Sequence, residues 1–273
     1  MITRKLLLIG NPGIAGDNYT PSVQLVLNRY KDYFKSAVGG GWIEDHNEEL
    51  SEIIEEPVGY DRYGEVTWLV LKLKELMSID YSVIVFVGHG GSCRENDLLQ
   101  LSQGVILPLS SLLASEGMEK QIKRTVIVDA CRSLIGVMQP QLVLERRTFS
   151  GEGELMMNYC REHYNAIIEN ECEPHVELIQ STQYGEVARV NSNHTGTAFS
   201  DSLFNVLNTN VPRWNQLALN DRYGKFDKGF ADILPEVQLG MSEYQQVPQF
   251  TRFGDGIGNF PLYAVWRAVD RIL

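Results

Sequence analysis

The chain has 273 residues and only four cysteines, none of them in a CxxC pair. That excludes a disulfide scaffold and leaves no ligand spacing for a structural zinc site. Long apolar runs are also missing. No stretch approaches the roughly 18 residues that span a bilayer. The run Leu6-Leu7-Leu8-Ile9 near the start is well below the roughly 7–15 residues of a signal peptide. Positive charge is scarce: 24 Lys and Arg stand against 35 Asp and Glu, a net charge of −11. A sequence-blind nucleic-acid binder needs a basic face, and a polybasic membrane anchor needs a basic cluster. These absences predict a protein of a reducing cytoplasm, with neither nucleic acid nor membrane as partner.

What remains is ordinary globular composition, 44% apolar and 22% charged. A chain near this length buries roughly 75% of its unfolded surface and needs no staple. Short apolar runs at 5–9, 82–87, 105–107, 124–128 and 176–179 read as buried strands. Residues 22–34, 65–77, 154–169 and 197–207 read as helices, the third with Leu155, Tyr159, His163 and Ile167 on one stripe. Residues 109–113 read as the start of another helix, 48–56 as an exposed acidic stretch, and 260–265 as a last apolar segment. With no repeat, low-complexity tract or linker, the expectation is one domain over 1–273. Its fold class is α/β, a mainly parallel central sheet with helices on both faces.

In open sheets of this kind ligands bind beyond the carboxyl ends of the strands. Two of the predicted strands end in reactive residues, His89 in Gly88-His89-Gly90-Gly91 and Cys131 in Asp129-Ala130-Cys131. Cysteine attacks as thiolate, which a nearby imidazole favours, and the same imidazole can protonate a leaving amine. The N–H groups of Gly90 and Cys131 are candidates for an oxyanion hole. A metal held by His89, Cys93 and Cys131 lacks a fourth ligand of sensible spacing, so neither metal nor cofactor is expected. Gly10-Asn11-Pro12-Gly13 reads as a turn, not a phosphate cradle. His46, His163, His175 and His194 read as surface or packing residues, and Cys160 and Cys172 as inert thiols. Asp129 sits two residues before Cys131, and alternation in an extended segment puts both on one side.

The pair Gly88-His89-Gly90 and Asp129-Ala130-Cys131-Arg132-Ser133 resembles the caspase-like cysteine peptidases, metacaspases included. The caspase signature is Q-A-C-[RQG]-G with the histidine about 50 residues upstream; here Asp129 replaces Gln and Ser133 replaces Gly. The resemblance continues through Gln180-Ser181-Thr182-Gln183-Tyr184-Gly185-Glu186 and Gly196-Thr197-Ala198-Phe199. It implies the caspase-like fold and a cysteine endopeptidase with a Cys131–His89 dyad, acting on protein or peptide substrates. The alternative is a caspase-fold scaffold that acts by binding. The resemblance also implies a substrate-binding loop around Ser181, with Glu186 as a second acid. Asp129 in the pocket selects Arg or Lys before the cleaved bond, while Arg189 in the same loop argues for the opposite charge. Glu145-Arg146-Arg147 lies in a polar stretch open to cleavage, which makes Arg146 and Arg147 candidate self-cleavage sites. By analogy with bacterial members, such a protein is a stress or antiviral effector switched on by a partner or a small molecule.

Overall fold

Strands that carry apolar residues on both faces must be covered on both. Four of them form the centre of this protein: β1 (Arg4–Asn11), β3 (Tyr81–Gly88), β7 (Lys123–Ala130) and β8 (His175–Gln180). The computed structural model describes residues 2–13, 22–42, 48–50, 62–93, 96–102, 105–113, 121–130, 132, 154–189 and 196–266. The four strands run parallel. β2 (Glu48–Leu50) joins one edge, and β10 (Gln249–Phe253) joins the other antiparallel. The strand order is β10-β8-β7-β3-β1-β2.

Alternation divides the core in two. Leu6, Leu8, Val83, Val85, Ile127 and Ile179 point to one face, where they meet α1 (Ser22–Lys35), α3 (Glu154–Asn170), α4 (Ala198–Asn220) and α5 (Phe230–Gly240). Leu7, Ile9, Ile84, Phe86, Val126, Val128 and Leu178 point to the other, toward α2 (Arg62–Glu75) and a small antiparallel sheet. That sheet is β4 (Gly90–Cys93), β5 (Asn96–Ser102) and β6 (Val105–Pro108). A separate ribbon, β9 (Lys225–Gly229) with β11 (Pro261–Trp266), closes the first face. None of the described helices is long and apolar enough to cross a membrane.

Three sequence expectations need correction. Residues 109–113 do not open a helix within the described chain. Leu109–Ser111 is a single 3-10 turn, and its spacing of three buries Leu109 and Leu112 together. On α3, Tyr159 is exposed, while Cys160, His163, Tyr164, Ile167 and Ile168 are buried. A stripe read in steps of four overshoots each turn by about 40° and drifts off the buried face. Finally, α4 runs thirteen residues past 207 to Asn220, through Pro212. Proline removes one backbone donor, yet Trp214, Asn215 and Ala218 beyond it are buried and hold the helix on course.

At the end of β3, Gly88 adopts φ +154°, and a Cβ there would lie 2.5 Å from Asn11 O and 2.9 Å from Asn11 N. Only glycine lets β3 approach β1 this closely. Gly88→Ala is expected to destabilise the fold by about 1–3 kcal/mol, the usual cost of forcing extra carbon into packed backbone. Urea titration checks this, and an unchanged midpoint would show that the approach is not tight.

Candidate active site

β3 and β7 pair in register to their last residues, with Val87 opposite Asp129 and Gly88 opposite Ala130. Their carboxyl ends are therefore level. His89 follows Gly88 and is half-buried; its carbonyl accepts from Gln100 N at 2.9 Å, which turns the chain into the β4–β5 hairpin. Gly90 opens that hairpin opposite Leu99. Asn11 ties β1 to the same hairpin, donating Nδ2 to Gln100 O at 2.7 Å while Oδ1 accepts from Gly13 N at 3.0 Å. The Asn11-Pro12-Gly13 segment is thus a side-chain-closed turn. Cys131, Arg146 and Arg147 lie outside the described residues, as do Ser133, His46 and His194.

Arg132, the next residue after position 131, is held from every side. Its Nε donates to Asp97 Oδ1 at 3.0 Å and its Nη2 pairs with Asp97 Oδ2 at 2.9 Å. Nη1 reaches Thr182 O at 3.2 Å and Gln249 Oε1 at 2.9 Å. Its backbone N–H donates to Glu186 O, and its carbonyl accepts from Gly185 N, both at 3.0 Å. Asp97, on β5, also accepts from Ser92 Oγ at 2.7 Å and Gln180 Nε2 at 2.9 Å. These donors outweigh the cost of partial burial and hold its carboxyl below the ordinary carboxylate value. Asp97 carries no signal in the sequence: it sits in a polar stretch, Arg94-Glu95-Asn96-Asp97, that reads as a loop.

Asp129 is the opposite case. It points to the α1 and α4 face and is 1% exposed. Oδ2 accepts from the hydroxyl of Thr197, while Oδ1 has no hydrogen-bond partner. Burial pushes its carboxyl up to about 7; Thr197, then Ser181, oppose this, and Asp201 adds to it while Arg29 lowers it. Ser181 is fully buried, and its hydroxyl turns toward Ala130 O at 3.4 Å. Thr197 is also the N-cap of α4, accepting from Ser200 N at 3.0 Å while its own N–H donates to Ser200 Oγ at 3.1 Å. One side chain thus serves both the helix end and the buried carboxylate. The cation acting on Asp129 is Arg29 of α1, which pairs with Asp201 of α4.

The loop after β8 places the remaining candidates. Glu186, expected as a pocket acid, is held within the loop. Its carboxylate accepts from Gln183 N at 3.0 Å, Gln183 Nε2 at 2.6 Å and Val247 N at 3.0 Å. Arg189 donates Nε to Tyr244 O at 3.1 Å, and its N–H donates to Gln246 Oε1 at 3.0 Å. Gln246 also donates to Ser181 O at 2.8 Å and so links both ends of the loop. His163 and His175 are buried packing residues, the latter stacked on Phe260 with centroids 4.1 Å apart. Cys160 and Cys172 are buried thiols that approach the carbonyls of Trp266 and Asn259, and burial pushes the Cys172 thiol up to about 12. Among the described residues no group of His, Cys, Asp or Glu is arranged to hold a metal ion.

The family model described as Caspase domain, of the peptidase C14 family, matches residues 61–254, well over half of the chain. No curated protein matches the sequence. Among solved structures, caspase-1 from Spodoptera frugiperda superposes with a TM-score of 0.51 at 11% identity, covering 92% of this chain and 87% of that one. That likeness shows a shared fold.

The environment of Asp129 has a measurable effect on stability. Its folded value of about 7 lies above the ordinary Asp value of about 3.9. Between the two, the folded state holds a proton that the unfolded chain has released. Stability therefore falls as pH rises through this window, and the penalty is complete above it. Asp129→Asn removes the penalty. Its melting temperature should match wild type near pH 4 and exceed it at pH 8. A variant less stable than wild type at pH 8 would mean that the ionised carboxylate is stabilised after all.

Proposed function

Because the chain belongs to the caspase-domain family of cysteine peptidases, we propose that it is an endopeptidase working through a Cys131–His89 dyad. The observation that carries this reading is the register of β3 and β7, with Gly88 opposite Ala130. His89 and Cys131 are the next residues of the two chains. In the first step His89 takes the thiol proton and the Cys131 sulfur bonds to the peptide carbonyl carbon. The N–H groups of Gly90 and Cys131 receive the oxyanion. The imidazolium then protonates the leaving amine, the C–N bond breaks, and water hydrolyses the thioester with His89 as base.

Asp129 sets the preference for Arg or Lys before the cleaved bond. Support comes from its buried, unpartnered Oδ1, which a guanidinium or ammonium would satisfy with a charge-assisted hydrogen bond. The direction of Arg189 toward Tyr244 O fits this assignment. With Glu186 engaged in the loop, Asp129 is the acid of the pocket. By family analogy the protein acts in a reducing cytoplasm as a stress or antiviral effector, switched on by a partner or small molecule. Cleavage at Arg146 or Arg147 is a route to that switch.

Cys131→Ala and His89→Ala should each abolish peptide cleavage without lowering the melting temperature. Wild-type turnover in Cys131→Ala would end the dyad reading. For specificity, two fluorogenic peptides differing only in Arg or Asp before the cleaved bond should separate by at least about a hundredfold, because the wrong charge leaves a buried carboxylate unpaired. KM for the Arg peptide should fall as pH rises through the Asp129 titration, and this trend should vanish in Asp129→Asn. Faster cleavage of the Asp peptide would overturn the assignment. Intact masses of active enzyme and Cys131→Ala, compared after incubation, test self-cleavage: a cut after Arg146 or Arg147 should occur only in the active form.

A further inference from the structure

The pair formed by Arg132 and Asp97 is more completely satisfied than a structural ion pair needs to be. Each Asp97 oxygen accepts two hydrogen bonds, from Ser92 and Arg132 on Oδ1 and from Gln180 and Arg132 on Oδ2. Arg132 in turn reaches the β8 loop through Thr182 O and the edge strand β10 through Gln249 Oε1. Its own peptide groups are pinned to Glu186 O and Gly185 N. The side chains of the pair are 13% and 14% exposed, so water screens them little. The segments joined are the hairpin that continues from His89, the residue bonded to Cys131, and the loop of the candidate pocket.

We propose that Asp97 is a positioning residue. Through Arg132 it fixes the peptide that follows Cys131 against the hairpin that continues from His89, and so sets the thiol–imidazole geometry. This rests on the dyad reading above. Two backbone bonds and four side-chain bonds leave Arg132 no freedom to rotate, and the peptide bond between 131 and 132 is planar and stiff. The same carboxylate also closes the hairpin on itself, accepting from Ser92 across the β4–β5 pair. A thiol and an imidazole on two separate strand ends need such a brace, because a misplacement of about 1 Å costs on the order of a hundredfold in rate. The brace must also be charged: Asn at position 97 would turn an amide donor toward Arg132 or Gln180, and a buried guanidinium would lose its counter-charge.

The test is thiol alkylation by iodoacetamide in the full chain, followed by peptide mapping that tracks Cys131 beside Cys93, Cys160 and Cys172. In wild type Cys131 should react well below the ordinary thiol titration near pH 8.5, as an imidazole-paired thiolate does. In Asp97→Asn its rate near pH 6 should fall about tenfold or more and its profile should move toward that of a free thiol. The kcat for a peptide should fall with KM little changed, and Asp97→Glu, which keeps the carboxylate, should recover part of the loss. An Asp97→Asn profile that superimposes on a low-pH wild-type profile would overturn the positioning role and leave the dyad standing. An ordinary thiol profile in wild type would remove the dyad and the positioning role together. Arg132→Lys keeps the charge and loses the fork; it gives the same comparison should Asp97→Asn fail to fold.

Discussion

The candidate site depends on one close approach, that of Gly88 to the backbone of Asn11. Parallel strands brought into register over eight residues set their ends level, but only if nothing on the last residue holds them apart. A Cβ at position 88 would do so. With glycine there, β3 ends flush with β1 on one side and β7 on the other. The chain can then leave the sheet directly into His89 and the hairpin. Asn11 completes the arrangement from the far side by reaching the same hairpin at Gln100. The glycine therefore acts through sheet geometry as much as through its turn. A Gly-His-Gly-Gly motif read only as a flexible loop misses this.

Two aspartates near the strand ends illustrate how environment divides one side chain into two roles. Asp97 is surrounded by donors and stays ionised below its ordinary range. Asp129 is more deeply buried, has one hydrogen-bonded oxygen, and is pushed up to about 7. The first is compensated within the protein and braces it. The second is left short of partners at a cost to the fold, an imbalance that often marks a place where a ligand supplies what is missing. Thr197 limits that cost, because the hydroxyl that caps α4 is also the donor to Asp129.

Much of this was legible in the sequence. The doubly buried strands announced themselves as unbroken apolar runs, and their alternation with helical periodicity fixed the fold class. His89 and Cys131 are legible as candidates because ligands of open α/β sheets bind beyond the strand ends. The β4–β5 hairpin did not stand out: Gly90-Gly91-Ser92-Cys93 has no alternation, and its partner strand begins with Asn96 and Asp97. The extension of α4 through Pro212 was hidden because local propensity argues against it, and only burial of Trp214 and Ala218 overrides that. Glu186 is ambiguous in sequence for a related reason. An acid in a binding loop has the same sequence signature whether it faces a ligand or accepts the loop's own amides, and here it accepts Gln183 and Val247.

What sequence could not supply is the pairing of distant polar residues. Arg132 was visible as part of a motif, but its partners at 97, 182 and 249 share neither period nor spacing with it. Such networks form where several chain ends converge and backbone groups lose their ladder partners. At the carboxyl ends of β7 and β8 the sheet stops, and each exposed N–H or C=O must find a side chain or a loop. An apolar residue at 132 would leave Thr182 O without this donor and the Asp97 carboxylate without its counter-charge. Arginine, with five donors in a rigid fork, is the residue type that can serve a carboxylate, a carbonyl and an amide oxygen at once. The convergence that makes the strand ends a good place for chemistry thus also makes them a place that needs a charged, many-armed brace.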